Sequence, residues 1–347
     1  MCSFRIMAKG VGGKPMHGIG RRDIVEISYL YYNEGKTQAE IAALFGISRF
    51  KVSRILKKAI EEGIVSITIN DPTSNLIEME IEVAQKFGLK KAVVVRSVAP
   101  NGETLFDQIG KAGASYLNRI VAGHKILGVT WGRTLRHMIN NLEEMKDGDL
   151  RIVQLSGGVG NIEGTDTNVL TMMLGQKLGA RPLLLQSPVV VKDKHTKTAL
   201  LQEKSVAEVL GIARTTDLAL VGIGLLGRQG LLWQSGMMEE RDYRVLKKTG
   251  AVGAICGRCY DINGNPCVSD WDDRVIGLTL NELKRIEHKV GIAFGLEKLA
   301  GIIGALSGRY LDVLITDEDV AGRLLSDLYE TTENLSHAKP QRRKGNN

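Results

Sequence analysis

Between residues 92 and 316 the chain repeats one pattern: a short continuous apolar run, a loop, then a stretch with helical periodicity. The runs are AVVV (92–95), KILGVT (125–130), RIVQLS (151–156), PLLLQ (182–186), LALVGI (218–223), VGAICG (252–257), KVGIAFG (289–295) and LDVLIT (311–316). Helical spacing of apolar residues appears between them, at 105–121, 134–143, 169–178 and 297–306. A strand that is apolar at nearly every position is buried on both faces, and strands alternating with helices close into a parallel sheet covered on both sides. The expected fold class is therefore α/β, a Rossmann-like doubly wound sheet over residues 72–330.

The first seventy residues follow a different rule. Thr37-Gln38-Ala39-Glu40 has the residues of a capping box, so a helix starts there and is expected to bury Ile41, Leu44 and Phe45. Gly46 permits the left-handed turn that ends it, Ile47 fills the corner, and Ser48 caps a second helix. That helix repeats Val52, Ile55, Leu56, Ala59 and Ile60 at the spacing of one buried stripe. Its other face carries Arg49, Phe50, Lys51, Arg54, Lys57 and Lys58. A helix over 22–33 precedes this pair and an alternating IVSITI (64–69) follows as a short strand, which gives a winged-helix-like helix-turn-helix domain over 21–71. In this motif the start of the second helix enters the DNA major groove while the first braces on the backbone. The residues expected to meet DNA are Gln38, Ser48, Arg49, Phe50, Lys51, Ser53, Arg54 and Lys57. For Phe50 the partners would be thymine methyls or sugar faces; the competing expectation is that its ring packs on the preceding helix.

Charge supports the division. Of the formal net +7, residues 1–70 contribute +5 (11 Lys and Arg against 6 Asp and Glu) and the segment from His337 contributes +4, which leaves about −2 for the rest. A basic module on a near-neutral body points to a polyanion at one end and a different task at the other. Residues 1–20, rich in glycine, read as a flexible leader, and 331–347 as a disordered basic tail. No apolar run reaches the ~18 residues of a membrane span, and nothing reads as a signal peptide. With only four cysteines, a cytoplasmic protein with reduced thiols is expected.

Three glycine-rich turns follow apolar runs: GVTWGRT (128–134), SGGVG (156–160) and GIGLLG (222–227). In a parallel sheet, ligands bind beyond the carboxyl ends of the strands, where such turns present backbone N–H groups to an anion.

The segments GKTQAEIAALFGISRFKVSRILKKAIEEGIV, GVTWGRTL, QLSGGVG, DRVIGLTLNEL, FGLEKLAGIIGALSG and LDVLITDEDVAGRLL, in this order, resemble the SorC-type sugar-responsive transcription regulators over residues 23–328. That resemblance implies an effector domain related to sugar-phosphate isomerases and deaminases, and a homodimer or homotetramer on double-stranded operator DNA. The implied effector is a phosphorylated sugar or sugar alcohol, with no cofactor, metal or membrane partner. Carried over by position, Thr130, Trp131, Gly132, Arg133, Thr134 and Lys298 would meet the phosphate, with Gly128, Gly222 and Gly224 in the same glycine turns. Ser156, Gly157, Gly158 and Val159 would line the sugar, with Asp166 and Asp261 as hydroxyl acceptors. Two residues depart from the pattern: Phe294, where a glycine pair is common, and Phe50, where a proline or small residue is common.

Two rival functions have residues to name. Glu163 and Asp166 could serve acid–base chemistry on a sugar phosphate, but the six histidines are scattered and none falls in the glycine turns. Cys256, Cys259 and Cys267 could hold a metal, but zinc asks for four ligands. No catalytic or metal-binding residue is assigned.

Overall fold

The computed structural model describes residues 19–67, 74–97, 103–145, 148–160 and 166–326. Residues 1–18 of the expected leader, the boundary between the two expected domains at 71–72, Glu163 and the basic tail lie outside the described residues. The chain divides into two compact units, Met1–Pro72 and Thr73–Asn347.

The first unit holds α1 (Arg21–Tyr32), α2 (Gln38–Phe45) and α3 (Arg49–Glu61). The capping box forms: the Thr37 N–H donates to Glu40 Oε2 at 2.8 Å and the Glu40 N–H donates to Thr37 Oγ1 at 3.3 Å. Gly46 takes φ +63°, the left-handed conformation that ends α2, and Ser48 Oγ accepts from the Lys51 N–H to begin α3. Ile24, Ile27, Ile41, Val52, Ile55, Leu56 and Ala59 form the core between the helices. Leu44 and Ile60 do not join it; they are 64% and 44% exposed. Both sit at the margin of their stripes, where the described residues of this unit offer no fourth element to cover them. The expected strand over 64–69 is not a strand at its described residues, 64–67. There the N–H groups of Ile64 and Val65 both donate to the Ala59 carbonyl, wrapping the chain around the end of α3.

The second unit runs α4 (Ser74–Phe87), β1 (Lys91–Val95), α5 (Leu105–Ile120), β2 (Ile126–Val129), α6 (Arg133–Asn140), β3 (Arg151–Gln154), α7 (Thr167–Leu178), β4 (Arg181–Leu183), α8 (Lys194–Gln202), α9 (Lys204–Ala213), β5 (Leu218–Gly222), α10 (Leu231–Gln234), α11 (Glu240–Lys248), β6 (Gly253–Ile255), β7 (Arg258–Tyr260), α12 (Leu280–Lys284), β8 (His288–Ile292), α13 (Leu299–Ser307), β9 (Val313–Asp317) and α14 (Glu318–Leu325). Seven strands form one parallel sheet in the order β1-β9-β8-β5-β2-β3-β4. One face carries Leu127, Ile152, Leu220 and Ile292 against α5, α6 and α7; the other carries Val94, Val153, Val221 and Leu314 against α4, α13 and α14. This two-faced burial is why the strands read as continuous apolar runs.

One run is assigned differently. Residues 252–257 do not join the parallel sheet: β6 pairs antiparallel with β7 in a separate hairpin. Its turn uses positive φ at Cys256 (+54°) and Gly257 (+77°), the backbone of a tight hairpin and not of an extended strand. The hairpin packs with α10 and α11 into a satellite core built on Trp271, Cys259, Cys267 and Val189.

Candidate functional site

The order of strands decides where a ligand fits. From β2 the chain moves to β3 and β4 on one side, then returns as β5 on the other side of β2 and continues outward through β8 and β9. The switch point lies between β2 and β5, and the loops leaving their carboxyl ends diverge there. A cavity of about 170 Å³ opens at this point. It is walled by the turn after β2 (Thr130–Leu135 in part), the loop after β5 (Gly222–Leu232 in part) and the segment after β8 that includes Phe294, Glu297 and Lys298.

Local backbone chemistry shapes the turn after β2. Thr130 is buried; its N–H extends the ladder to the Leu220 carbonyl and its Oγ1 accepts from the Gly222 N–H at 3.1 Å. That bond pins the ends of β2 and β5 together at the cavity floor. Gly132 then takes φ +144°, a conformation glycine alone adopts readily, and caps α6 with no side chain. A Cβ on Gly132 would meet nothing within 4 Å. The first intrahelical bond of α6 is donated by Arg136, so the amides ahead of it carry the positive end of the helix without a cap.

Two cations line the cavity beside this helix end. Arg133 and Lys298 both line the cavity, and among the described residues neither has a carboxylate at ion-pair distance. Burial lowers the pKa of the Lys298 amine from its ordinary value; nearby Glu297 acts in the raising direction and Arg133 adds to the lowering. Phe106, from the first turn of α5, and Phe294 lie beneath the two cations. The remaining walls are mostly apolar, with Ile223, Leu225, Leu232 and Ala254, and Gln229 adds an amide.

Of the residues expected at the effector site, Thr130, Trp131, Gly132, Arg133, Thr134, Gly222, Gly224 and Lys298 line the cavity together. Gly128 does not: it is inside β2, where a Cβ would press on Leu155 and Thr216. The turn at Ser156–Val159 is spent on packing. Ser156 bridges to Gly277, the Gly157 N–H donates to the Ile276 carbonyl, the Gly158 N–H donates to the Ser187 carbonyl, and Val159 is fully buried. Asp166 caps α7 by accepting from the Asn168 N–H. Asp261 accepts from the N–H groups of Asn263 and Asn265 and from the Asn265 amide, closing the turn after β7. Both acids sit outside the cavity lining. Phe106, Gln229, Glu297 and Cys256 line it without having been singled out for it, because each reaches the cavity from an element whose position depends on the tertiary fold.

On the first unit, Arg49, Phe50, Lys51, Ser53, Arg54 and Lys57 all project outward from α3, Gln38 is half-buried at the start of α2, and the Ser48 hydroxyl caps α3. Phe50 is 85% exposed, so its ring does not pack on the preceding helix. Lys57 pairs loosely with Glu61 at 3.8 Å, whereas Arg49, Lys51 and Arg54 have no ion pair among the described residues.

The thiols at 256, 259 and 267 are free and buried. Burial pushes the Cys256 thiol up to about 12, and pushes Cys259 and Cys267 upward too; among the described residues no group of three or more His, Cys, Asp or Glu side chains is placed to hold a metal ion.

Residues 71–326 match the family described as "Putative sugar-binding domain", and 22–62 match "Sigma-70, region 4". The sorbitol operon regulator of Klebsiella pneumoniae is 34% identical over 310 residues, covering 88% of this chain and 98% of that one. Its full-length crystal structure superposes with a TM-score of 0.70 at 33% identity, over 88% of this chain and 99% of the other. The chain belongs to the SorC family of transcriptional regulators. A deoxyribonucleoside regulator of Bacillus subtilis is a further relative, 32% identical over 88% of this chain and 97% of its own length. In this SorC family member the helix-turn-helix is the DNA-binding domain and the seven-stranded α/β unit is the sugar-binding domain. No helix among the described residues is long and apolar enough to cross a membrane.

Proposed function

We propose that this SorC family protein regulates a carbohydrate-utilisation operon in the cytoplasm, and that a phosphorylated sugar or sugar alcohol bound at the β2–β5 switch point controls its grip on operator DNA. The observation that carries this is that Arg133 and Lys298, neither with a carboxylate at ion-pair distance among the described residues, line one cavity with the start of α6, which has no side-chain cap. Arg133 is exposed at the cavity and Lys298 is half-buried there. Two cations with no carboxylate at ion-pair distance favour an anionic ligand, and a phosphate monoester supplies two charges and three acceptors. Thr134 and the Gly132–Arg133 backbone would close around the phosphate, while Gln229 and Glu297 would meet hydroxyls further along the ligand. The protein acts by binding and not by turnover. Asp166, named for acid–base chemistry, is committed to capping α7 and lies outside the cavity.

On the DNA side, Arg49, Lys51, Arg54 and Lys57 would neutralise phosphates or reach base edges, and Phe50 would meet a thymine methyl. Two such units, in a homodimer or homotetramer, would read two half-sites. The relatives are named for a sugar alcohol and for deoxyribonucleosides, so the deciding screen is a thermal-shift panel of phosphorylated sugars and polyols that includes both chemistries. A ligand stabilising the wild type but not Lys298→Ala is expected. A panel in which only unphosphorylated ligands bind would overturn the phosphate assignment.

A further inference from the structure

Arg133 and Lys298 keep their places without an ion pair, which raises the question of what holds them. Phe106 and Phe294 form an edge-to-face pair, ring centroids 4.8 Å apart and 85° between planes. The Arg133 guanidinium carbon lies 5.6 Å from the Phe106 centroid, and the Lys298 Nζ lies 5.8 Å from the Phe294 centroid. Each cation of the site thus has its own ring, and the two rings lock each other.

The rings are themselves fixed from behind. Phe294 is buried, and the Gly295 that follows it donates its N–H to Asp317 Oδ2 at 2.7 Å. Asp317 is held in turn by the Val320 N–H. Phe106 packs against the His137 ring at 5.1 Å, and His137 Nδ1 lies 3.1 Å from Asp107 Oδ1. Three elements, α5, α6 and the end of β8, therefore converge on the aromatic pair.

We propose that Phe106 and Phe294 are positioning residues of the effector site, holding Arg133 and Lys298 by cation–π contact so that both stay in place with their charge unspent and select a doubly charged anion. A carboxylate partner would also order the two side chains, but it would cancel the charge and have to be displaced by the ligand. An aromatic face contributes about 0.5–2 kcal/mol of attraction and neutralises nothing. The ligand class this favours is a phosphate monoester dianion over a carboxylate monoanion of similar size. The inference rests on the cavity being the effector site, and the experiment separates the two claims.

The test uses the full chain with fluorinated phenylalanines (one, two and three ring fluorines) placed at 294 or at 106. Fluorination drains the ring's negative face while nearly keeping its volume, so thermal melts without ligand should stay close to wild type. Dissociation constants are measured by calorimetry for ribose 5-phosphate, with inorganic phosphate and acetate as probes of bare anions. Affinity for both phosphates should fall stepwise with fluorine number, by about 2- to 30-fold over the series, and acetate should change less. At 294 the alkaline limit of binding should also move to lower pH, because Lys298 titrates and faces Phe294, Glu297 and Arg133. At 106 affinity should fall with no such movement, because the ring there faces Arg133 and not the Lys298 amine.

Unchanged phosphate affinity across both series, with Arg133→Ala still abolishing binding, would overturn the positioning role and leave the effector site intact. If neither phosphate binds the wild type, the site assignment fails and this inference fails with it.

Discussion

Lys298 carries the sharpest consequence at the level of single residues. Its ammonium is disfavoured in the free protein by burial, so the folded chain bears a penalty below that lowered pKa and sheds it as pH rises through it. An anionic effector has the opposite sign, because it favours the protonated amine. Stabilisation by a phosphate ester should be present below the Lys298 pKa and fade as pH rises through it. It should also weaken below about pH 6, where the ester loses its second charge. Melting temperatures with and without ligand across pH 5–10 would trace both limbs, and Lys298→Ala should erase the alkaline one. On α3, Arg54→Ala should weaken operator binding by about 1–3 kcal/mol if the guanidinium holds a base edge. A mobility-shift titration measures this directly. Phe50 makes a more specific demand: a duplex with deoxyuridine in place of thymine should bind the wild type less tightly, and Phe50→Ala should no longer tell the two duplexes apart.

At the scale of elements, the parts of the chain legible in sequence were those written in local chemistry. The capping box at Thr37 and Glu40, Gly46 and the Ser48 cap depend on neighbours within four residues, and they form as the spacing requires. The seven parallel strands announce themselves because both faces are buried. Where the structure differs from the expected placement, the cause is a partner far along the chain. VGAICG is apolar enough for a central strand, yet its positive-φ turn folds it onto β7. SGGVG looks like an anion-binding turn, but Ile276 and Ser187 take its amides, and nothing local marks that. Asp166 and Asp261 took the ordinary role of loop aspartates, one a helix cap and one a turn. These differences make a stability prediction. Gly157→Ala would drive a Cβ into the Pro188 carbonyl and Gly128→Ala would press on Leu155, so both should destabilise the fold by about 1–3 kcal/mol. Gly132→Ala has open space but a φ of +144°, so its cost is backbone strain at the cavity itself. Urea unfolding of the three variants would separate packing glycines from the one beside the ligand.

For the whole molecule, the claim is a division between a cationic reader and a near-neutral sensor that communicate through affinity. The effector alters DNA binding only if it binds DNA-competent and incompetent arrangements with different strength, and the coupling must then be reciprocal. The reader side should follow counterion release, with operator affinity falling steeply as salt rises. The most direct measurement is fluorescence anisotropy of the full chain on duplexes from its own genomic neighbourhood, with and without the phosphate ester that stabilises it. The account predicts salt-dependent binding to one such duplex, an affinity that changes when the ester is added, and no change in Arg133→Ala or Lys298→Ala. Equal affinity with and without the ester in the wild-type chain, at ligand concentrations that demonstrably fill the cavity, would contradict it.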